Sequence, residues 1–70
     1  MDDDVTAAQQ KVLDALARKP MGVVSLASTI DAKVNHVQHT CDALFRRSLV
    51  THTNHGRYML TERGKKKAAS

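Results

Sequence analysis

A single cysteine, Cys41, rules out an internal disulfide in this 70-residue chain. A chain this short, without such a staple, rests on a modest apolar core and is only marginally stable. A free thiol outside any disulfide framework points to a reducing compartment, the cytoplasm. Aromatic side chains are limited to Phe45 and Tyr58. There is one glutamate, Glu62, and neither a glycine-rich phosphate loop nor a nucleophile motif is present. A catalytic site needs convergent, positioned groups, so no enzyme activity, catalytic residue or cofactor is expected. No apolar run approaches the length of a membrane span. The opening residues, Met1-Asp2-Asp3-Asp4, are the opposite of a basic signal-peptide start, so secretion is not expected either.

What remains is an apolar fraction of 41%, made of Leu, Val, Ile, Met and Ala spread along most of the chain. That suits one small, mostly helical domain. The net charge of +4 conceals an asymmetry. Residues 1–32 carry three Lys/Arg against five Asp, whereas residues 33–70 carry eight against two acids, together with all four histidines. A basic half suits a polyanionic partner, of which nucleic acid is the commonest. Charge alone equally fits a solvated surface with a basic tail.

Hydrophobic spacing divides the chain into elements. Val5, Ala8, Val12, Leu13 and Leu16 recur at helical intervals in a first helix over residues 6–20. Thr6 followed by Gln9 fits a capping box. Asp2, Asp3 and Asp4 precede the helix where its positive end favours them, Arg18 and Lys19 occupy its last turn, and Pro20 stops it. Val23, Leu26, Ala27 and Ile30 mark a second helix with Gly22 as N-cap, and Met21 is expected in the core as an extended residue. After a tight break at residues 31–33, a third helix runs over about 34–47. Two helices joined so tightly form a helix-turn-helix pattern. Residues 50–60 then change period and read as a hairpin, with Gly56 free to take a positive φ at its turn. Thr61 is a candidate cap for one last helical turn, which Gly64 and the lysine run are expected to fray into a tail. The expected organisation is an acidic extension over 1–5, a domain over 6–64 and a basic tail over 65–70.

Helix, helix-turn-helix and hairpin, in that order, make a mainly α fold with a small β-hairpin: a winged helix-turn-helix, three helices plus a wing. Particular residues carry the likeness further. "LASTIDAKVNHVQHTCDALFRRSLV" resembles, without a gap, the central pattern of MarR-like regulators. Leu26-Ala27 match the usual pair of the second helix, Val37, Cys41 and Leu44 the apolar triplet of the recognition helix, and Leu49-Val50 the pair that opens the wing. "YMLTERG" resembles the motif that closes it. The likeness covers residues 6–67. Two glycines usual in the family are replaced, by Asp31 at the turn and Ser48 before the wing; both are polar residues that tolerate turns. Full MarR proteins also carry terminal helices that form the dimer, for which 70 residues leave no room. The resemblance therefore implies a DNA-binding module, without a small-molecule ligand; a homodimer stays open.

The third helix supplies the candidate site. At about 100° per residue, Val34, Val37, Cys41, Leu44 and Phe45 fall on one arc. Asn35, His36, His39, Ala43 and Arg46 fall away from it, with Gln38 on the flank. Asn and Gln can bond adenine edges in a bidentate way, and His and Arg can donate to guanine acceptors. Lys33, Arg46 and Arg47 suit phosphates, which position a protein on the duplex. Asp42 marks the edge of this face. His36, His39 and Cys41 form an apparent cluster of metal ligands, but one helix cannot aim all three at one ion, so no metal site is expected. Cys41 reads as core filler. The outward histidines remain open to the plainer reading of solvent-exposed side chains.

The hairpin tip adds Asn54, His55 and Arg57. By resemblance, Arg57 is the favoured wing contact, since arginine suits a narrow minor groove. Lys65, Lys66 and Lys67 either attract phosphates or simply solubilise a tail. Phe45 either packs under the hairpin or is exposed at a self-association surface. The expected function is sequence-specific binding of double-stranded DNA by a small cytoplasmic transcriptional regulator, nucleoid-associated when bound. Its alternative is a winged-helix protein-interaction module that does not bind DNA. An acidic or apolar outer face on the third helix would have favoured that alternative.

Overall fold

The computed structural model describes residues 5–69. Asp2, Asp3 and Asp4, expected to favour the start of the first helix, lie outside the described residues. Helix α1 spans Ala7–Leu16, α2 Val23–Ile30 and α3 Val34–Arg46; strands β1 (Val50–His52) and β2 (Tyr58–Leu60) follow, then α4 (Glu62–Ala69). β1 and β2 pair antiparallel, with Val50 opposite Leu60 and His52 opposite Tyr58. This is the mainly α architecture with a hairpin wing that the hydrophobic pattern predicts.

Helix α1 starts on the expected capping box. Thr6 Oγ1 accepts from the Gln9 amide at 3.1 Å, and Gln9 Oε1 accepts from the Thr6 amide at 3.1 Å. Val12, Leu13, Ala15 and Leu16 form its buried stripe. The helix stops at Leu16, so Arg18 and Lys19 lie beyond its last turn rather than in it. Pro20 explains this at a distance: the residue before a proline is driven out of the helical region, so the chain leaves the helix before reaching it. The Arg18 amide closes the end on Ala15 O at 3.1 Å.

The break between α2 and α3 is made by Asp31, left-handed at φ 57° and ψ 54°. Ser48, after α3, is left-handed as well at φ 61°. These are the two positions where glycine is usual in the resembling family, and the backbone there takes the conformation glycine favours. Gly56 at the wing turn has φ 74°, as expected.

The core gathers Val12, Leu13, Leu16, Leu26, Val37, Cys41, Leu44, Leu49, Val50, Tyr58 and Leu60. Met21 joins it as an extended residue. Its amide donates to Tyr58 O at 3.1 Å and its carbonyl accepts from the Tyr58 amide at 2.7 Å, which adds a one-residue bridge to the free edge of β2. The stripe of α3 is narrower than the wheel suggests and turned toward Thr40. Val34 is 45% exposed and Phe45 46%, whereas Thr40 is only 8% exposed. Thr40 enters the core because its hydroxyl bonds back to His36 O at 2.9 Å, so no buried donor is left unmet.

The end of the chain also differs from expectation. Helix α4 continues through Lys65, Lys66 and Lys67 to Ala69. Thr61 Oγ1 accepts from the Gly64 amide at 3.1 Å and caps the first turn. Gly64 is buried with its α-carbon against Leu49 and Leu60, and Ala68 packs against the core. The glycine that reads as a point of fraying thus sits where α4 leaves no room for a β-carbon beside Leu49. Among the described residues no helix is long and apolar enough to cross a membrane.

Candidate nucleic-acid interface

Helix α3 presents its site by having two faces. Val37, Thr40, Cys41 and Leu44 are buried and fix its rotation on the core. Asn35, His36, Gln38, His39 and Arg46 are all exposed, and Lys33 is exposed as the N-cap residue. Ala43, expected outward, is half-buried. The apparent cluster of metal ligands therefore separates as expected: His36 and His39 lie outside, and Cys41 lies wholly inside. Burial, together with the neighbouring Asp42 charge, pushes the Cys41 thiol up to about 11, so it stays protonated at neutral pH.

Gln38 is less free than its flank position implies. Its side-chain nitrogen donates both to Asp42 Oδ1 at 3.1 Å and to Tyr58 Oη at 3.1 Å. Helix α3 and the wing are thereby joined through one side chain. Burial raises the Tyr58 phenol above its ordinary range, against the opposing effect of the Gln38 bond. Beside this contact, the His52 ring sits between Phe45, with centroids 5.3 Å apart, and Tyr58, at 4.6 Å. Half-exposed Phe45 thus leans on the hairpin through His52 rather than being covered by it.

Arg47 turns toward α1, where its Nη1 donates to Gln9 Oε1 at 3.4 Å. The same oxygen closes the capping box, so the start of α1 and the end of α3 share one acceptor. Arg46, by contrast, is exposed in the last turn of α3.

The wing tip is organised by Thr53. Its hydroxyl accepts from the His55 amide and the Arg57 amide, each at 3.2 Å, and its backbone amide donates to Arg57 O at 2.7 Å. His55 is exposed at the turn. Arg57 is exposed too, and lines a polar depression with Lys19, Gly22, Ser25 and Thr29. Sequence reasoning missed Lys19 and Ser25 here because only the fold brings the loop after α1 and the start of α2 to the wing. It also missed Asp42 and Tyr58 as partners of Gln38. The spacing of Gln38 and Asp42 one helical turn apart was a usable signal for the first; nothing local signals the second.

No protein-family model matches this sequence, and no curated protein matches it. Solved structures do. ZitR of Lactococcus lactis in complex with DNA superimposes with a TM-score of 0.88 at 19% identity, over 99% of this chain and 51% of that one. A MarR family transcriptional regulator from Silicibacter pomeroyi gives 0.86 at 24% identity, over 93% of this chain and 49% of that one. An O-methyltransferase of neocarzinostatin biosynthesis gives 0.71 at 28% identity, with 86% of this chain laid on only 20% of the enzyme. The chain spans about half the length of the regulators it matches. It is a winged helix-turn-helix domain with the architecture of MarR-like regulators.

Proposed function

We propose that this domain binds double-stranded DNA in a sequence-dependent manner, as a small transcriptional regulator. In this reading α3 enters the major groove and the wing lies on the backbone or in the minor groove. The observation that carries it is the outward face of α3. Asn35, His36, His39 and Arg46 are exposed together, while the opposite face is locked into the core. These are side chains that can bond base edges and phosphates, presented on a helix that cannot roll. ZitR, with the same fold, has been solved in complex with DNA. Asn35, His36, Gln38 and His39 are assigned to bases. Lys33 and Arg46 are assigned to phosphates, with Arg47 behind them at the α1 side, and His55 and Arg57 to the wing contact. The reading carries with it a cytoplasmic place, on the nucleoid when bound, and no catalytic role; the one thiol is buried and protonated.

Selection of bound duplexes from a random pool, followed by titration of the enriched site against salt, tests this. Affinity should fall steeply with salt as Lys and Arg displace counterions. Asn35→Ala and His39→Ala should each weaken the selected site by about tenfold and leave non-specific binding nearly unchanged. A protein that retains no duplex at low salt does not have this function. An equal loss of specific and non-specific binding would remove Asn35 and His39 from base reading. A symmetric selected motif would report a homodimer, with half-sites about one helical turn apart.

A further inference from the structure

A glutamine on a recognition helix ordinarily reads adenine with both ends of its amide: the carbonyl accepts from N6, and the nitrogen donates to N7. Gln38 is not equipped for this. A side-chain amide has two N–H donors and one carbonyl oxygen. The nitrogen of Gln38 faces Asp42 Oδ1 at 3.1 Å and Tyr58 Oη at 3.1 Å, so both donors are engaged. The orientation of the amide follows from the chemistry of Asp42. An ionised carboxylate only accepts, so the nitrogen and not the oxygen must face it. What remains for any further partner is Oε1.

The two partners differ in how firmly they hold. Asp42 is exposed, one helical turn along α3 from Gln38. Tyr58 is 3% exposed, and its backbone is tied to Met21 through both amide and carbonyl. The phenol is therefore a fixed point of the fold, and the amide of Gln38 is oriented by the hairpin before any DNA arrives.

We infer that Gln38 acts as a lone acceptor, specific for an exocyclic amino group in the major groove: adenine N6 or cytosine N4. This rests on the DNA reading proposed above. Both bases offer a donor to Oε1. Guanine O6 and N7 and thymine O4 offer acceptors only, and those find no donor on the engaged amide. Asp42 and Tyr58 are positioning residues here; they set what Gln38 can say without touching a base.

The test uses the selected site and base analogues. Gln38→Ala identifies the position by erasing a base preference there. At that position the wild type should bind adenine and cytosine within about twofold of each other, and both about fivefold better than guanine or thymine, as one hydrogen bond implies. Replacing adenine by 7-deazaadenine, which lacks N7, should change nothing. Replacing it by a purine without the N6 amino group should lose the same fivefold or so. Tyr58→Phe and Asp42→Ala each release one N–H. Only the N–H beside the carbonyl oxygen can pair with N7 while Oε1 takes N6. The one variant of the two that frees it should therefore prefer adenine over cytosine by about fivefold and become sensitive to 7-deazaadenine, and the other should keep the wild-type pattern. No exchange in either variant overturns the inference. A merely structural role for these residues would not produce that exchange of sensitivities. Asp42 is exposed, so its variant should fold, and the 7-deazaadenine comparison on the wild type decides the matter even if Tyr58→Phe folds poorly. Weakening of the wild type by 7-deazaadenine overturns the inference, as does a Gln38→Ala variant that keeps every base preference. Failure of the wild type to retain any duplex overturns the DNA reading itself, and this inference with it.

Discussion

The fold alters the acid chemistry of Cys41. Its thiol is held near 11 against an ordinary 9.0, so the folded chain keeps a proton that the unfolded chain gives up. The stabilisation is fully present below pH 9 and is lost as pH rises through 11. Melting temperature should therefore fall between those values, and Cys41→Val should flatten the fall without abolishing it, because Tyr58 is raised in the same direction. An identical alkaline profile for the variant would mean that Cys41 does not carry the effect. Gly64 is constrained by space rather than charge. A β-carbon there would collide with the carbonyl oxygen of Leu49 and sit 3.2 Å from Leu60 Cδ2. Backbone cannot swing aside as a side chain can, so Gly64→Ala should destabilise the domain by about 2–3 kcal/mol. Chemical denaturation measures this, and a loss within error would show that α4 shifts freely on the wing.

Among the elements, the caps and stripes were legible and the joints were not. Thr6 and Gln9 announce the start of α1 because their partners lie within one turn. Leu26, Ala27, Val37, Cys41 and Leu44 announce buried faces because helical spacing is a local property. The inward turn of Thr40, the outward lean of Val34 and Phe45, and the reach of Arg47 to Gln9 depend on neighbours distant in sequence. So does α4. Its lysines and its glycine resemble a tail until Leu49 and Leu60 supply something to pack on. The turns were legible as substitutions, since Asp31 and Ser48 stand where glycine is usual in the resembling family. A left-handed conformation costs an L-residue about 1–2 kcal/mol, partly offset by the greater chain entropy glycine brings to the unfolded state. Ser48→Gly should therefore raise the melting temperature by a few degrees. Asp31→Gly should raise it less, because aspartate tolerates the left-handed region better. A thermal melt in which either variant loses stability would show that the native side chain holds its turn in some further way.

At the scale of the whole molecule, the charge asymmetry could be read from the chain, and so could the division of α3 into an inner and an outer face. On that helix the exposure of Asn35, His36, His39 and Arg46 was legible, as the helical wheel requires, whereas Ala43 is half-buried. The candidate site was illegible where elements meet, as at Gln38 with Tyr58 and at Arg57 with Lys19. One such meeting has a consequence for how the domain breathes. The loop residue Met21 and the wing residue Tyr58 exchange both backbone bonds, so β2 is held on one side by β1 and on the other by the loop that joins α1 to α2. The wing is consequently no independent flap. In hydrogen exchange, the amides of Met21 and Tyr58 should become deuterated at the slow rate of the buried helices, while His55 and Gly56 at the tip exchange early. Fast exchange at Tyr58 would mean that the wing opens alone. Slow exchange would mean that the two elements proposed to read DNA, helix and wing base, keep a fixed angle until the domain as a whole unfolds.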